Sequence, residues 1–386
     1  MSAADPHPMH FDYASPLQLA PSTATVILED SARMLARAGA SFHDDPDGAG
    51  LFECIGPTVV PHAPTFVVQA RAVQQVGYRG YLSSGGEFFT DEALVSAEEE
   101  HRFLERLGRP DPFSNEDTDL VPTARAGRFA LPVRNRPVVE LAGDTVCLCA
   151  FEPSNHGSFL FRVLPKLAGR RHLVKGRKVL APLYNQSMRD LFAMAGIAGE
   201  CIVPHNSRTT YILEAATIPS LRNAHALLDD RTLAFYAAMR DRFGTRRGAR
   251  KIFVSRLGWS GSDAANRRVM LNEEIVVQKL AAEGFAIIRP HNMSARQQIE
   301  AFSAADVIVG ASGSAMFNVV FSRPGTRVID IESEPHWIFA HANLFGSCGL
   351  DYGILEARAV DRDWSVVHKP FSVNVDALLA RVTSPH

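Results

Sequence analysis

The chain predicts an α/β fold built on parallel sheets. Two observations carry the prediction. From residue 251 to residue 332 strand, Gly-containing turn and helix repeat in strict alternation, and a strand, polar turn and helix recur in that order from residue 145 onward. Parallel strands need a crossover, and the crossover is normally a helix, so such alternation implies sheets covered on both faces.

Residues 1–22 carry Pro and His and are expected as a disordered or extended N-terminus. Residues 23–136 read as a β-rich N-terminal elaboration. Short β-rich runs at 57–60, 65–68 and 77–82 are broken by Gly and Pro, with a polar helix at 91–107 and an acidic loop at 111–119. A first Rossmann-like half spans 137–245. Its strand at 145–150 leads into Glu152-Pro153-Ser154-Asn155-His156-Gly157 and an apolar helix at 158–164. A strand at 178–183, a helix at 186–195 stopped by Gly196, and strands at 201–204 and 211–215 follow. An amphipathic helix at 227–243, apolar at Leu228, Phe235 and Met239, connects the halves, and 246–250 is the linker.

The second Rossmann-like half spans 250–365 and opens with the strand KIFVSR at 251–256. Asn272-Glu273-Glu274 starts a helix that ends at Gly284, and 285–289 is the next strand. Ser294-Ala295-Arg296-Gln297 is a capping-box pattern, opening a helix whose buried stripe is Ala295, Ile299 and Phe302. The strand DVIVG at 306–310 runs into Ala311-Ser312-Gly313-Ser314, a helical run at 315–321, a Pro324-Gly325 stop and a strand at 327–331. Residues 366–386 are a C-terminal helix and tail. In parallel sheets ligands bind beyond the carboxyl ends of the strands, and a small-residue turn at a helix start offers free N–H groups to an anion. Ser312-Gly313-Ser314 has that position.

Composition narrows the class. Charged residues are 21% and hydrophobic ones 46% of the 386, as in soluble globular proteins. A formal net charge of −2 gives no general attraction to nucleic acid or anionic lipid, so any anion site is local. No apolar run reaches the roughly 18 residues of a spanning helix, and the start lacks a signal-peptide pattern, so a cytoplasmic protein is expected. A peripheral position at the inner face of the membrane stays open, as does the oligomeric state. The five Cys form no C-x-x-C pair and are expected to be reduced, structural thiols.

Taken together, Val254-Ser255-Arg256, Arg268 with Asn272-Glu273, the Gly284-Phe285 strand, Gly310-Ala311-Ser312-Gly313-Ser314 with Asn318, Pro324-Gly325 and Val328-Ile329-Asp330-Ile331 resemble the catalytic domain of glycosyltransferase family 61. The upstream Asn155-His156-Gly157-Ser158-Phe159-Leu160 with Leu164-Pro165-Lys166-Leu167 resembles that family's earlier motif, so the likeness covers roughly residues 145 to 335 in order. The resemblance implies a GT-B-like arrangement, two Rossmann-like halves facing a cleft. It implies an inverting, metal-independent transfer of a sugar from a nucleotide-sugar donor to a hydroxyl of a glycan or lipid-linked glycan acceptor, in surface polysaccharide synthesis. Two positions differ: Ser158 and Ser312 stand where relatives commonly have His.

The chemistry of such a transfer asks for charge stabilisation at the leaving diphosphate and a base for the acceptor proton. Arg256, at a strand's carboxyl end, is placed to hold two phosphate oxygens, and Ser312, Gly313 and Ser314 supply N–H and hydroxyl donors. Asn272 and Glu273 are candidates for donor contact, or simply a helix start. Glu332 is a candidate for ribose hydroxyls, His291 for packing on the base, and Asn318 for donor contact or for tying helix to loop. His156 is the candidate base, grouped with Asn155, because a His in a polar turn titrates near neutral pH. His336 and His341 are read as structural or cleft-bordering. The loop at 257–267, with Trp259, reads as a lid or as an ordinary surface loop.

No metal site is assigned. Asp45-Pro46-Asp47, Asp117-Thr118-Asp119 and Asp361-Arg362-Asp363 all match a bare D-x-D, and none follows an early core strand. No cofactor beyond the nucleotide-sugar co-substrate and no nucleic-acid partner is expected. The alternatives are a catalytically silent nucleotide- or glycan-binding homologue and a pyruvyl-type transferase on the same scaffold. A dinucleotide oxidoreductase is disfavoured, since neither half has G-x-G-x-x-G after its first strand.

Overall fold

The computed structural model describes residues 9–37, 39, 41–43, 56–77, 79–94, 96–107, 121–131, 136–152, 154–259, 268–334, 338–361 and 368–383. The chain divides into two compact units, Met1–Met34 with Pro61–Arg222, and Leu35–Val60 with Asn223–His386.

The first unit is built on an eleven-stranded mixed sheet. Its strands include β1 (Thr65–Val76), β2 (Val138–Cys147), β3 (Lys178–Ala181), β4 (Ile202–Pro204) and β5 (Thr210–Pro219). The last four are mutually parallel in the order β4-β3-β2-β5, the Rossmann-like part. β2 starts at Val138, earlier than the apolar run at 145–150 suggests, and crosses a register shift between Leu141 and Asp144 where Gly143 takes a positive φ of 77°. β1 pairs antiparallel with β5 from Gln75↔Tyr211 to Val67↔Pro219. The β-rich N-terminal segment therefore continues this sheet, and one hydrophobic cluster holds Phe66 and Val73 of β1 together with Cys147, Leu180 and Leu213. An ion pair is buried in the same unit. Lys166 Nζ lies 2.6 Å from Asp91 Oδ2, both fully buried, with Arg79 Nη2 3.3 Å from Asp91 Oδ1.

In the second unit a six-stranded sheet is parallel throughout. It holds β6 (Lys251–Val254), β7 (Ala286–Ile288), β8 (Val307–Ala311), β9 (Arg327–Glu332) and β10 (Asp351–Glu356), in the order β7-β6-β8-β9-β10, with Ser41–His43 at the edge beside β10. The helices are α1 (Asp230–Phe243), α2 (Glu273–Ala282), α3 (Ala295–Ala304), α4 (Ile338–Ser347) and α5 (Val375–Thr383). The capping box at Ser294 and Gln297 is formed in both directions, and Ala295, Ile299 and Phe302 are buried as their spacing predicts. α1 starts later than 227. Leu227–Leu228 pairs with Asn223–Ala224, and the Asp229 side chain accepts from Thr232 N at 2.8 Å to cap the helix.

The helical run after Ser312-Gly313 is a 3₁₀-helix, Ser314–Phe321, with every residue from Met316 to Phe321 buried. Asn318 Nδ2 takes the Ala315 carbonyl at 3.0 Å, competing with the backbone for an acceptor, and packing rather than an α-helical ladder holds the segment. Gly310 lets this helix sit on the sheet, because a Cβ there would come 2.5 Å from Met316 Sδ and 3.0 Å from Val254 Cβ.

Cys147, Cys149, Cys201 and Cys348 are free thiols, and Cys54 lies outside the described residues. Burial pushes the Cys147 and Cys348 thiols up to about 12, which suits inert packing groups. Among the described residues no helix is long and apolar enough to cross a membrane.

Candidate active site

Strand order locates the site in the second unit. The chain places β7 on one side of β6 and β8 on the other, so the connections leave in opposite directions and a crevice opens beyond the carboxyl ends of β6 and β8. Val254 is in register with Gly310, so residues following these two strands emerge side by side.

Beyond β6 the backbone is fixed by Glu273. Its buried Oε1 accepts from Ser255 Oγ at 2.7 Å, Arg256 N at 2.7 Å and Leu257 N at 3.3 Å. The turn carries the Arg256 guanidinium, which lies over the Trp259 ring at 5.5 Å and makes no ion pair among the described residues. Burial lowers its pKa and the Glu273 carboxylate opposes that, leaving a permanent cation.

Beyond β8 the backbone turns at Gly313, with φ 155° and ψ 176°, a region that only Gly adopts without strain. The first N–H after it to find a backbone acceptor is that of Met316, on Gly313 O at 2.9 Å. A Cβ on Gly313 would stand 3.7 Å from Arg256 Nη1, so cation and turn open onto the same rim. Ser314 is exposed there, and His291 is exposed just past β7, the next strand along.

The remaining candidates in this unit are buried or tied to neighbouring backbone. Ser312 is fully buried, donates its N–H to Ile331 O at 2.8 Å and has its hydroxyl against His341. Asn318 Nδ2 donates to Gln298 Oε1 on α3 at 3.0 Å, the structural option of its two. Asn272 does not cap α2 with its side chain. Its amide brackets Val373, donating to the carbonyl at 2.8 Å and accepting from the N–H at 3.2 Å. Glu332 is fully buried, its Oε1 accepting from Ser333 N and Glu334 N at 2.7 and 2.8 Å.

In the first unit, the candidate base follows the carboxyl end of β2. Asn155 is the N-cap of the short helix His156–Ser158, accepting from Gly157 N at 2.8 Å and Ser158 N at 3.3 Å, so its side chain has a defined folding role. His156 is half-buried. The helix then widens into a π turn, Phe159–Val163, with Leu164 N bonded to Phe159 O, before Pro165 enters a 3₁₀ turn. A π turn relieves the clash that Pro165 would create in a regular ladder. The turn before His156 is braced by Arg162 Nη1, 2.9 Å from Glu152 Oε2 and 3.2 Å from Ser158 Oγ. Glu152 itself has φ 50°, a strained conformation for a residue with a Cβ.

The family model of Glycosyltransferase 61 matches residues 124–329, more than half of the chain. The chain belongs to the glycosyltransferase 61 family. No curated protein sequence matches it. The matched span of this family 61 chain includes His156, Arg256 and the Gly313 turn, and ends before Glu332 and His341.

Sequence reading of this family 61 chain missed the polar cluster beneath the rim. Arg268 is buried and ion-paired with Glu332, and burial lowers its pKa to about 10 against the pull of Glu334 and Asp330. Asp330 Oδ2 accepts from Tyr352 OH at 3.1 Å and lies 2.8 Å from His341 Nδ1. These residues are spread from 268 to 352; the sequence singles out Arg268, Asp330, Glu332 and His341 one by one, but not as one cluster, and does not single out Tyr352.

The loop expected as a lid extends through residues 260–267, which lie outside the described residues, as do His336 and the first two D-x-D pairs. Of the third, Asp361 is ion-paired with Lys369.

Proposed function

We propose that the chain is an inverting glycosyltransferase with two GT-B-like halves, moving a sugar from a nucleotide-sugar donor to a hydroxyl of a glycan or lipid-linked acceptor in surface polysaccharide synthesis. The observation that carries this reading is the meeting of the Arg256 guanidinium with the Gly313 turn at the switch point of a parallel sheet. A diphosphate seated there would receive a planar cation from one strand and backbone N–H groups of Gly313 and Ser314 from the next.

In the proposed reaction the acceptor oxygen bonds to the anomeric carbon from the face opposite the leaving group. The anomeric C–O bond breaks with its electron pair going to the diphosphate, whose new charge Arg256 and the turn offset. The acceptor proton passes to a base, for which His156 is proposed. The nucleotide sugar is the co-substrate, no other cofactor is invoked, and the reaction is assigned to the cytoplasmic side of the membrane.

The test is titration of uridine and guanosine diphosphates into wild type and Arg256→Ala by calorimetry, followed by transfer assays with the corresponding sugars. Removing a charged hydrogen-bonding partner should weaken the preferred nucleotide about 10- to 100-fold. Equal affinity in both proteins removes Arg256 from the site. A silent nucleotide-binding protein is favoured by one observation, the inward-facing hydroxyls of Ser158 and Ser312, which accompany the two exchanges from the common family His. It predicts thermal stabilisation by the nucleotide with no product from any donor.

A further inference from the structure

His341 is a buried, hydrogen-bonded imidazole that the proposed transfer does not use. It projects from α4 with 2% of its surface exposed, against fully buried Asp330 and Ser312. Nδ1 lies 2.8 Å from Asp330 Oδ2, the oxygen that also accepts from Tyr352 OH. Ser312 Oγ is 3.2 Å from Nδ1 and 3.4 Å from Nε2. Aromatic rings confine the imidazole on its other sides, with Phe317 edge-on at 4.8 Å and Phe345 tilted at 5.1 Å, while Phe345 in turn packs on Tyr352 at 4.9 Å. These two rings and the Asp330 carboxylate hold the imidazole against Ser312.

Ser312 is the residue on which the anion turn pivots. Gly310 and Ser312 share a side-chain direction on β8 and its extension, and Gly310 is in register with Asp330 on β9, so the sheet brings Asp330 and Ser312 to one face. With its N–H on Ile331 O and its hydroxyl on His341, residue 312 is anchored at both ends. The strain of the extended, positive-φ conformation at Gly313 then falls on a glycine whose predecessor is tethered, and the turn lies beside Arg256 with Ser314 exposed.

We propose that His341, paired with Asp330, is a positioning residue for the donor diphosphate, acting through the Ser312 hydroxyl to hold the Gly313 turn in its anion-binding shape. The proposal rests on the donor site at Arg256 and Gly313. His341 touches no substrate atom in it. The imidazole, the carboxylate and the Tyr352 hydroxyl form one chain from β10 to the turn, and disturbing any link should loosen the grip on phosphate.

The experiment is calorimetric titration of uridine and guanosine diphosphates into the full chain as wild type, Ser312→Ala, His341→Asn, the double variant and Arg256→Ala, each with a thermal melt to verify folding. Asn keeps a donor for Asp330, and Ser312→Ala removes one hydroxyl, so at least the latter should fold. Losing one hydrogen bond in the chain should raise Kd about tenfold in each single variant. The double variant should be no more than about twofold worse than the weaker single, because both changes cut the same link. A merely structural His341 would lower the melting temperature and leave Kd unchanged. Unchanged Kd in Ser312→Ala, or multiplied effects in the double variant, overturns the proposal. If Arg256→Ala loses binding while Ser312→Ala does not, the donor site stands and the positioning role falls. If wild type binds neither nucleotide, the donor site falls and takes the positioning role with it.

Discussion

His205 should make the first unit acid-sensitive. It is 5% exposed, stacks on Tyr211 at 5.7 Å and donates from Nε2 to Gly77 O at 2.7 Å, leaving Nδ1 buried with no partner. A second ring proton would sit on Nδ1 without an acceptor. Burial accordingly lowers the pKa from 6.5 to about 4, the Gly77 hydrogen bond opposing only part of that shift. The unfolded chain binds its proton near pH 6.5 and the folded chain only near pH 4. Stability is therefore full above about 6.5 and falls by roughly 1.4 kcal/mol per pH unit as the pH drops between those values, for a total of about 3 kcal/mol. His205→Gln keeps a donor for Gly77 and removes the titration. Denaturant unfolding at pH 7.5 and pH 4 should find the variant slightly less stable than wild type at the higher pH. At the lower pH it should be more stable, the gap moving by about 3 kcal/mol. NMR titration should find the His205 ring neutral down to about pH 4. A midpoint near 6.5 in the folded protein, or a gap that does not move with pH, would refute the reasoning.

Gly313→Ala forces a Cβ onto a backbone region reserved for Gly and should destabilise by roughly 1–3 kcal/mol, with weaker diphosphate binding, measured by denaturant midpoint and calorimetry. Lys166→Met strips the buried cation from Asp91. Burial raises the Asp91 pKa, and Lys166 and Arg79 outweigh it to hold the carboxyl below its ordinary value. Loss of about 3–5 kcal/mol is expected in urea unfolding, with part recovered in the Lys166→Met, Asp91→Asn double variant. Asn155→Ala should cost about 1 kcal/mol as a lost helix cap, whereas Asn155→Asp should keep the cap. If transfer rates follow stability in this pair, Asn155 acts through the fold; a rate lost equally in both variants would make the amide itself chemical.

Much of the second unit could be read from sequence because its strands are buried on both faces and stand out as unbroken apolar runs between Gly, Pro and capping residues. The strands read at 251–256, 285–289, 306–310 and 327–331 fall within two residues of β6 to β9. The first unit was less legible. Only residues 65–68 of β1 read as a strand, and its pairing with β5 joins residues far apart in the chain, which local periodicity does not encode. At the rim, the nearness of Arg256 and Gly313 followed from their places after adjacent strands. The inward turn of Ser312 did not, although its parity with Gly310 was a usable signal. Glu273 and Asn272 read as helix-start residues or donor contacts; α2 does start at Glu273, and their carboxylate and amide also hold the backbone at Arg256 and Val373. Arg268 and Asp330 stand out only as parts of the family resemblance and His341 only as a structural or cleft-bordering His; their meeting with Tyr352 is made by tertiary packing.

The edge strand Ser41–His43 lies beside β10, with Ser41 opposite Gly353. A ribosome, working at roughly 5–20 residues per second, makes those three residues long before their partner on β10. For tens of seconds the docking surface of that segment does not yet exist, while residues 61–222 of the first unit emerge between the two strands. The sheet of the second unit therefore cannot be completed until residues 61–222 of the first unit have been made, so its edge pairing is a late, long-range event built into the threading.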